Sequence, residues 1–161
     1  MPNVVCKSTV QSSTFGLCDD PPPSSLPDYI DTTSPMKWIA SVNNPNLKPV
    51  TFKAIDNCVE ILRPDGLQES RCDGLLIIGS NLIFVELKDR ASSGWLGKGR
   101  SQLTITITKF KQEHDVSQFE KVEAYVCNKQ KPLAVTNIST EAQKFKNDTG
   151  ILLKVDRNIS I

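Results

Sequence analysis

The segment from Arg71 to Arg90, RCDGLLIIGSNLIFVELKDR, sets two apolar runs back to back. Short runs of Leu, Ile, Val and Phe parted by a Gly-Ser-Asn turn read as the two strands of a buried hairpin. Asp73 stands near the start of the first run, and Glu86 and Lys88 close the second. Neighbours at i and i+2 on a strand project from one face, so Glu86 and Lys88 point the same way and a tight hairpin brings Asp73 beside them. Charges placed in such apolar strands need partners or a metal to repay their lost hydration. Two carboxylates plus the carbonyl of Leu87 suit Mg²⁺ or Mn²⁺, hard cations that take oxygen ligands and keep sites for water and phosphate. The pattern predicts a metal held by Asp73, Glu86 and Leu87, and phosphodiester chemistry at that metal.

The remaining chain limits what can surround this hairpin. Its 161 residues fit one domain with a single core. A net charge of +1 excludes a strongly basic coat, so any nucleic-acid surface must come from local clustering. The five cysteines, odd in number and without a Cys-x-x-Cys pair, predict neither a disulfide framework nor a zinc site, and so a reduced, cytoplasmic setting. No basic stretch precedes an apolar N-terminal segment, and no run approaches the ~18 apolar residues of a membrane span, so neither secretion nor insertion is expected. The sequons at Asn137, Asn147 and Asn158 are then expected to be unused.

Residues 1–35, rich in Pro, Ser and Thr, predict an irregular arm ahead of a single domain over 36–161. Met36 to Val42 reads as a short helix and Asn43 to Pro49 as a loop. Val50 to Ile61 reads as a strand, Arg63 to Gly66 as a turn, Ser70 to Ile78 and Leu82 to Lys88 as the hairpin strands. Ser92 to about His114 reads as a helix with Leu96, Leu103, Ile107 and Phe110 near one face, although the alternation in LTITITKF leaves a strand open over 103–110. Val122 to Cys127 is expected as a strand, Thr140 to Asn147 as a helix closed by Gly150, and Ile151 to Val155 as a last strand. The fold class is therefore α/β or α+β, a mixed central sheet of about five strands containing an antiparallel three-strand meander and flanked by helices.

The order strand, strand with Asp73, strand with Glu86-Leu87-Lys88, helix, strand resembles the PD-(D/E)XK nuclease superfamily over residues 50–128. The resemblance implies a restriction-endonuclease-like fold, a Mg²⁺-dependent DNA endonuclease with Asp73, Glu86 and Lys88 as catalytic residues, and a homodimer as one form of the protein. It also implies a further acid ahead of Asp73 and a polar residue on the following helix, for which Glu60 and Gln102 are the positions. Cys72 stands where the family carries Pro; the literal Pro64-Asp65 belongs to a turn.

Between Glu86 and Lys111 the chain holds Lys88, Arg90, Lys98, Arg100, Lys109 and Lys111 against Glu86 and Asp89. Such a patch beside the metal can hold a phosphate backbone, with Trp95 stacked on a base; the plain alternative is a solvated helix face with Trp95 in the core. GWLGKGRS lacks the first Gly of a phosphate-binding loop, having Ser92 there, and a single His114 excludes His-rich metal sites. Cys58, Cys72 and Cys127 read as core residues, and Asp56, in register with Glu60, reads as a member of the acidic site or as a structural acid. Two other classes compete with a nuclease. One is an inactive nuclease-fold accessory protein binding nucleic acid or a partner protein; the other is an interaction domain in which the trio is a surface cluster.

Overall fold

The structure is a computed structural model and describes residues 5–21, 23–89, 92–130 and 138–161. The described chain is mixed α/β, with a six-stranded and a four-stranded sheet and two α-helices. The strands are β1 (Lys7–Val10), β2 (Thr14–Cys18), β3 (Tyr29–Asp31), β4 (Ala40–Asn43), β5 (Val50–Ala54), β6 (Gly74–Ile78), β7 (Asn81–Lys88), β8 (Lys121–Asn128), β9 (Leu153–Val155) and β10 (Asn158–Ser160). Helix α1 spans Trp95–Glu113 and α2 spans Ile138–Thr149. The large sheet runs β1-β5-β6-β7-β8-β9 and the small one β10-β4-β2-β3.

The expected hairpin is the centre of the large sheet. Its loop is Gly79-Ser80, and Gly79 takes φ +56°, a backbone conformation that a side chain disfavours and a two-residue hairpin turn requires. β6 and β7 read as continuous apolar runs because they are covered on both faces. Leu76, Ile78, Ile83, Val85 and Leu87 pack towards Phe15, Leu17, Val42 and Ile159 of the small sheet. Leu75, Leu82 and Phe84 pack on the other side against Leu96, Leu103 and Ile107 of α1 and Phe145 of α2. The layers are therefore helices, large sheet, small sheet. The helices cover one face of the large sheet; the other face, also expected under helices, is covered by strands.

Residues 103–110 are helical. Thr104 and Thr106 return their hydroxyls to the carbonyls of Arg100 and Gln102 at 2.9 and 3.0 Å, which satisfies the polar groups within the helix. Burial of Leu103, Thr106 and Ile107 outweighs the weak helix propensity of the β-branched run. From β7 the chain crosses through α1 to β8, which pairs parallel with β7 from Asn81↔Lys121 to Lys88↔Asn128.

The N-terminal region corrects the expectation of an irregular arm. β1 pairs with β5, and β2 and β3 lie in the small sheet. The Pro-rich composition belongs to the connection between β2 and β3, whereas Phe15, Leu17 and Cys18 are buried. Gly16 is needed because a Cβ there would sit 1.9 Å from the Trp38 ring. The helix expected over Met36 to Val42 is a single 3-10 turn, Pro35–Lys37, followed by β4, since Ala40 and Val42 are buried in pairing with β2. The strand expected to reach Ile61 stops at Ala54, where Ile55 to Cys58 turn through Asn57 at φ +62°.

Cys6 and Cys58 form a disulfide, which overturns the expectation of reduced cysteines. The bond ties the entry to β1 to the turn after β5, a pairing of residues 52 apart that no local spacing announces. Disulfides persist in oxidising compartments, so the cysteines no longer argue for the cytoplasm. Cys72 and Cys127 are buried and free, as core residues should be. No helix among the described residues is long and apolar enough to cross a membrane.

Candidate active site

Asp73 precedes β6, and the register Gly74↔Val85 sets it opposite Glu86 at the end of β7. β6 opens on Gly74, where a side chain has no room because a Cβ would lie 2.5 Å from the Phe52 ring. Asp73 is anchored at both ends. Its carbonyl accepts from the Ile55 N–H at 2.8 Å, and its Oδ2 accepts from the Leu87 N–H at 2.6 Å. Leu87 thus contributes its N–H to the site, while its side chain enters the core between the sheets. Cys72 is fixed next door by its N–H donating to Thr106 Oγ1 on α1 at 2.8 Å.

Glu86 is 2% exposed and points to the helix face, where Gly99 lets α1 approach; a Cβ on Gly99 would stand 3.4 Å from Glu86 Cγ. Its Oε1 pairs with Lys88 Nζ at 2.9 Å, and its Oε2 meets no hydrogen-bond donor among the described residues. Lys88 Nζ also donates to Gln102 Oε1 at 2.7 Å, and Gln102 Nε2 reaches the Arg71 carbonyl at 3.3 Å. Asp73, Glu86, Lys88 and Gln102 therefore meet at one sheet end, although they come from three elements.

A third buried acid completes the group. Asp28, just before β3, is 4% exposed and lies in hydrogen-bonding contact with Asp73 and with Asp19, which follows β2. Asp28 Oδ2 finds no donor among the described residues, and ionised neighbours offer only acceptors, so a proton or a cation must stand between these carboxyls. Burial, reinforced by Asp73 and Asp19, pushes the Asp28 carboxyl up to about 11. Burial also lifts Asp73 to about 7 against the opposing Leu87 N–H, and it holds Glu86 well above the usual carboxylate range despite Lys88. Sequence reasoning missed Asp19 and Asp28 because both were assigned to the arm; the signal was Asp28 opening the short alternating stretch DYID.

The other expected residues lie elsewhere. Glu60 is exposed and lines a groove with Lys53, Lys109 and His114, away from the carboxylates. Asp56 pairs with Arg71 at 3.0 Å and raises the Asp73 carboxyl through its charge. Arg100 is bound to Glu141 at 2.5 Å, Lys109 pairs with Glu113 at 3.4 Å, and Lys111 donates to the Thr149 carbonyl at 2.5 Å. Arg100 and Lys111 thus join α1 to α2, and Lys109 faces the groove. Arg90 lies outside the described residues. Lys98 is exposed and shares a cleft of about 330 Å³ with Trp95, Lys88, Leu87, Asp89, Ser92, Pro21 and Asp19.

Among the described residues no group of three or more His, Cys, Asp or Glu side chains forms a metal-holding cluster. The available cation ligands are the paired oxygens of Asp73 and Glu86 with nearby backbone carbonyls. No protein-family model, no curated protein and no solved structure matches this chain.

The Thr106 contact has a measurable weight. Thr106→Val removes the acceptor of the buried Cys72 N–H while keeping the side chain's volume, and is expected to cost roughly 1–3 kcal/mol. Urea unfolding with an unchanged m-value would report it, and a midpoint equal to that of the parent would refute the assignment.

Proposed function

We propose that this chain is a divalent-cation-dependent nuclease of the PD-(D/E)XK type, with a restriction-endonuclease-like core and DNA as its substrate. The observation that carries the reading is the meeting of Asp73 and Glu86 across the β6–β7 pair, with Lys88 held between Glu86 and Gln102. The order β5-β6-β7 meander, α1, parallel β8 supports it further. The donor set fits Mg²⁺ or Mn²⁺: the orphaned Glu86 Oε2 is a buried hard oxygen beside a second carboxylate. When bound there, such a cation neutralises charge on the phosphoryl group and acidifies water.

The protein's own groups supply the rest. The Leu87 N–H fixes Asp73 through its Oδ2. Lys88 Nζ is held between Glu86 Oε1 and Gln102 Oε1, where it is placed to stabilise charge on the phosphoryl oxygens or to orient water. Gln102 orients Lys88 from the helix and is a positioning residue. The test is cleavage of supercoiled plasmid and of a single-stranded oligonucleotide with Mg²⁺ or Mn²⁺. Cutting that stops on adding EDTA is expected; no cutting of either substrate with either ion refutes the nuclease.

The binding of Arg100 and Lys111 to α2 favours one second reading, a nuclease-fold accessory protein that binds without cutting. Its signature is a rise in Tm with Mn²⁺ and no cleavage.

A further inference from the structure

Among the described residues that line the cleft beside the proposed centre, Trp95 is the aromatic one. Trp95 opens α1, is half-buried and packs on the helix-side core, so its ring is firmly mounted. Lys98 follows at i+3, and Gln102, which holds Lys88, lies four residues further on the same face. Trp95, Lys98 and Gln102 thus form a line that ends at the proposed catalytic lysine, about 10 Å long by helical rise.

A duplex needs a different surface. Its recognition neutralises several phosphates over a wide interface. Of the α1 cations that would extend the line, Arg100 and Lys111 are bound to α2 and Lys109 lines a different groove beside Glu113, and among the described residues of the cleft Asp19 and Asp89 balance Lys88 and Lys98. A cleft of about 330 Å³ is of the size that holds one small ligand, comparable to a nucleotide.

We propose that the cleft takes a single nucleotide of an unpaired strand, its base stacked on Trp95 and its phosphate against Lys98, so that the substrate class is single-stranded nucleic acid. This rests on the nuclease reading and narrows it. Base stacking on an aromatic ring tolerates any sequence and works with few cations, as this wall provides.

The experiment uses the full chain with a 12-nucleotide single-stranded DNA, the same strand as RNA, and the annealed DNA duplex. Trp95 emission is followed without divalent ions, then cleavage with Mg²⁺. Trp38, the other tryptophan, is buried with its indole N–H on Asp31, so quenching reports Trp95. Single strands should quench and be cut at least tenfold faster than the duplex, and RNA cut as well as DNA would assign the site to both. Read by the anisotropy of an end-labelled single strand, Trp95→Phe should keep most of the affinity, whereas Trp95→Ala should lose about 5- to 150-fold. A log–log salt slope shallower than about −2 is expected for so few phosphate contacts. Faster cutting of the duplex overturns the inference and leaves the nuclease standing. Quenching by single strands without cleavage by any ion upholds the cleft and overturns the nuclease, and no quenching overturns the cleft whatever is cut.

Discussion

Glu86→Ala should lower metal-dependent cleavage by about 10³-fold or more, and Lys88→Ala by about 10²- to 10³-fold, the range found when a preorganised charge is taken from a reacting centre. The two losses have separate causes. Glu86→Ala removes a proposed metal ligand and strands Lys88 beside Gln102, whereas Lys88→Ala keeps both acids and removes the partner of Glu86 Oε1. The Mn²⁺-induced rise in Tm tells these apart: it should vanish in Glu86→Ala and survive in Lys88→Ala. Because the two residues act as one unit, the double variant should be scarcely slower than Glu86→Ala alone. Parental cleavage rates in both single variants would remove the trio from the chemistry.

Asp28→Asn should make the metal-free protein more stable. In the unfolded chain Asp28 loses its proton near the ordinary value of 3.8, whereas the folded site holds it to about 11. Between those values the folded state binds the extra proton, so stability falls as pH rises across the window, and the penalty is already substantial at pH 7. Asn keeps the shape, donates to Asp73 as the protonated acid does, and carries no such penalty. The gain at pH 7 is on the order of a few kcal/mol, roughly 5–15 °C in Tm for a chain of this size. Asp73 acts in the same sense from 3.8 to about 7, so the parental protein without divalent ions should melt higher at pH 5 than at pH 8. Thermal melts of both proteins from pH 4.5 to 9 give the result. A variant that melts lower than its parent at pH 7, with the parental pH slope, would show that Asp28 sits ionised and well paired.

The hairpin was legible because its physics is local. Two apolar runs about a Gly turn have few alternatives, and charged residues at their ends are conspicuous. Gln102 was reached through the order of the resembled family, and the structure sets it on Lys88. What escaped was non-local. β1, β2 and β3 are three to five residues long and become strands through partners far along the chain, so composition outvoted them. Asp19 and Asp28 were lost with them, although they approach the centre more closely than Glu60 does. Arg100 and Lys111 show the converse limit: counting cations along a helix cannot tell which face α2 will cover, and α2 covers theirs.

Only Asp156 and Arg157 separate β9, at one border of the large sheet, from β10, at one border of the small sheet. So brief a passage works as a clasp, drawn tighter by Arg157 Nη2 donating to the Trp38 carbonyl at 2.9 Å. The two sheets cannot swing apart along that side without breaking strand pairing.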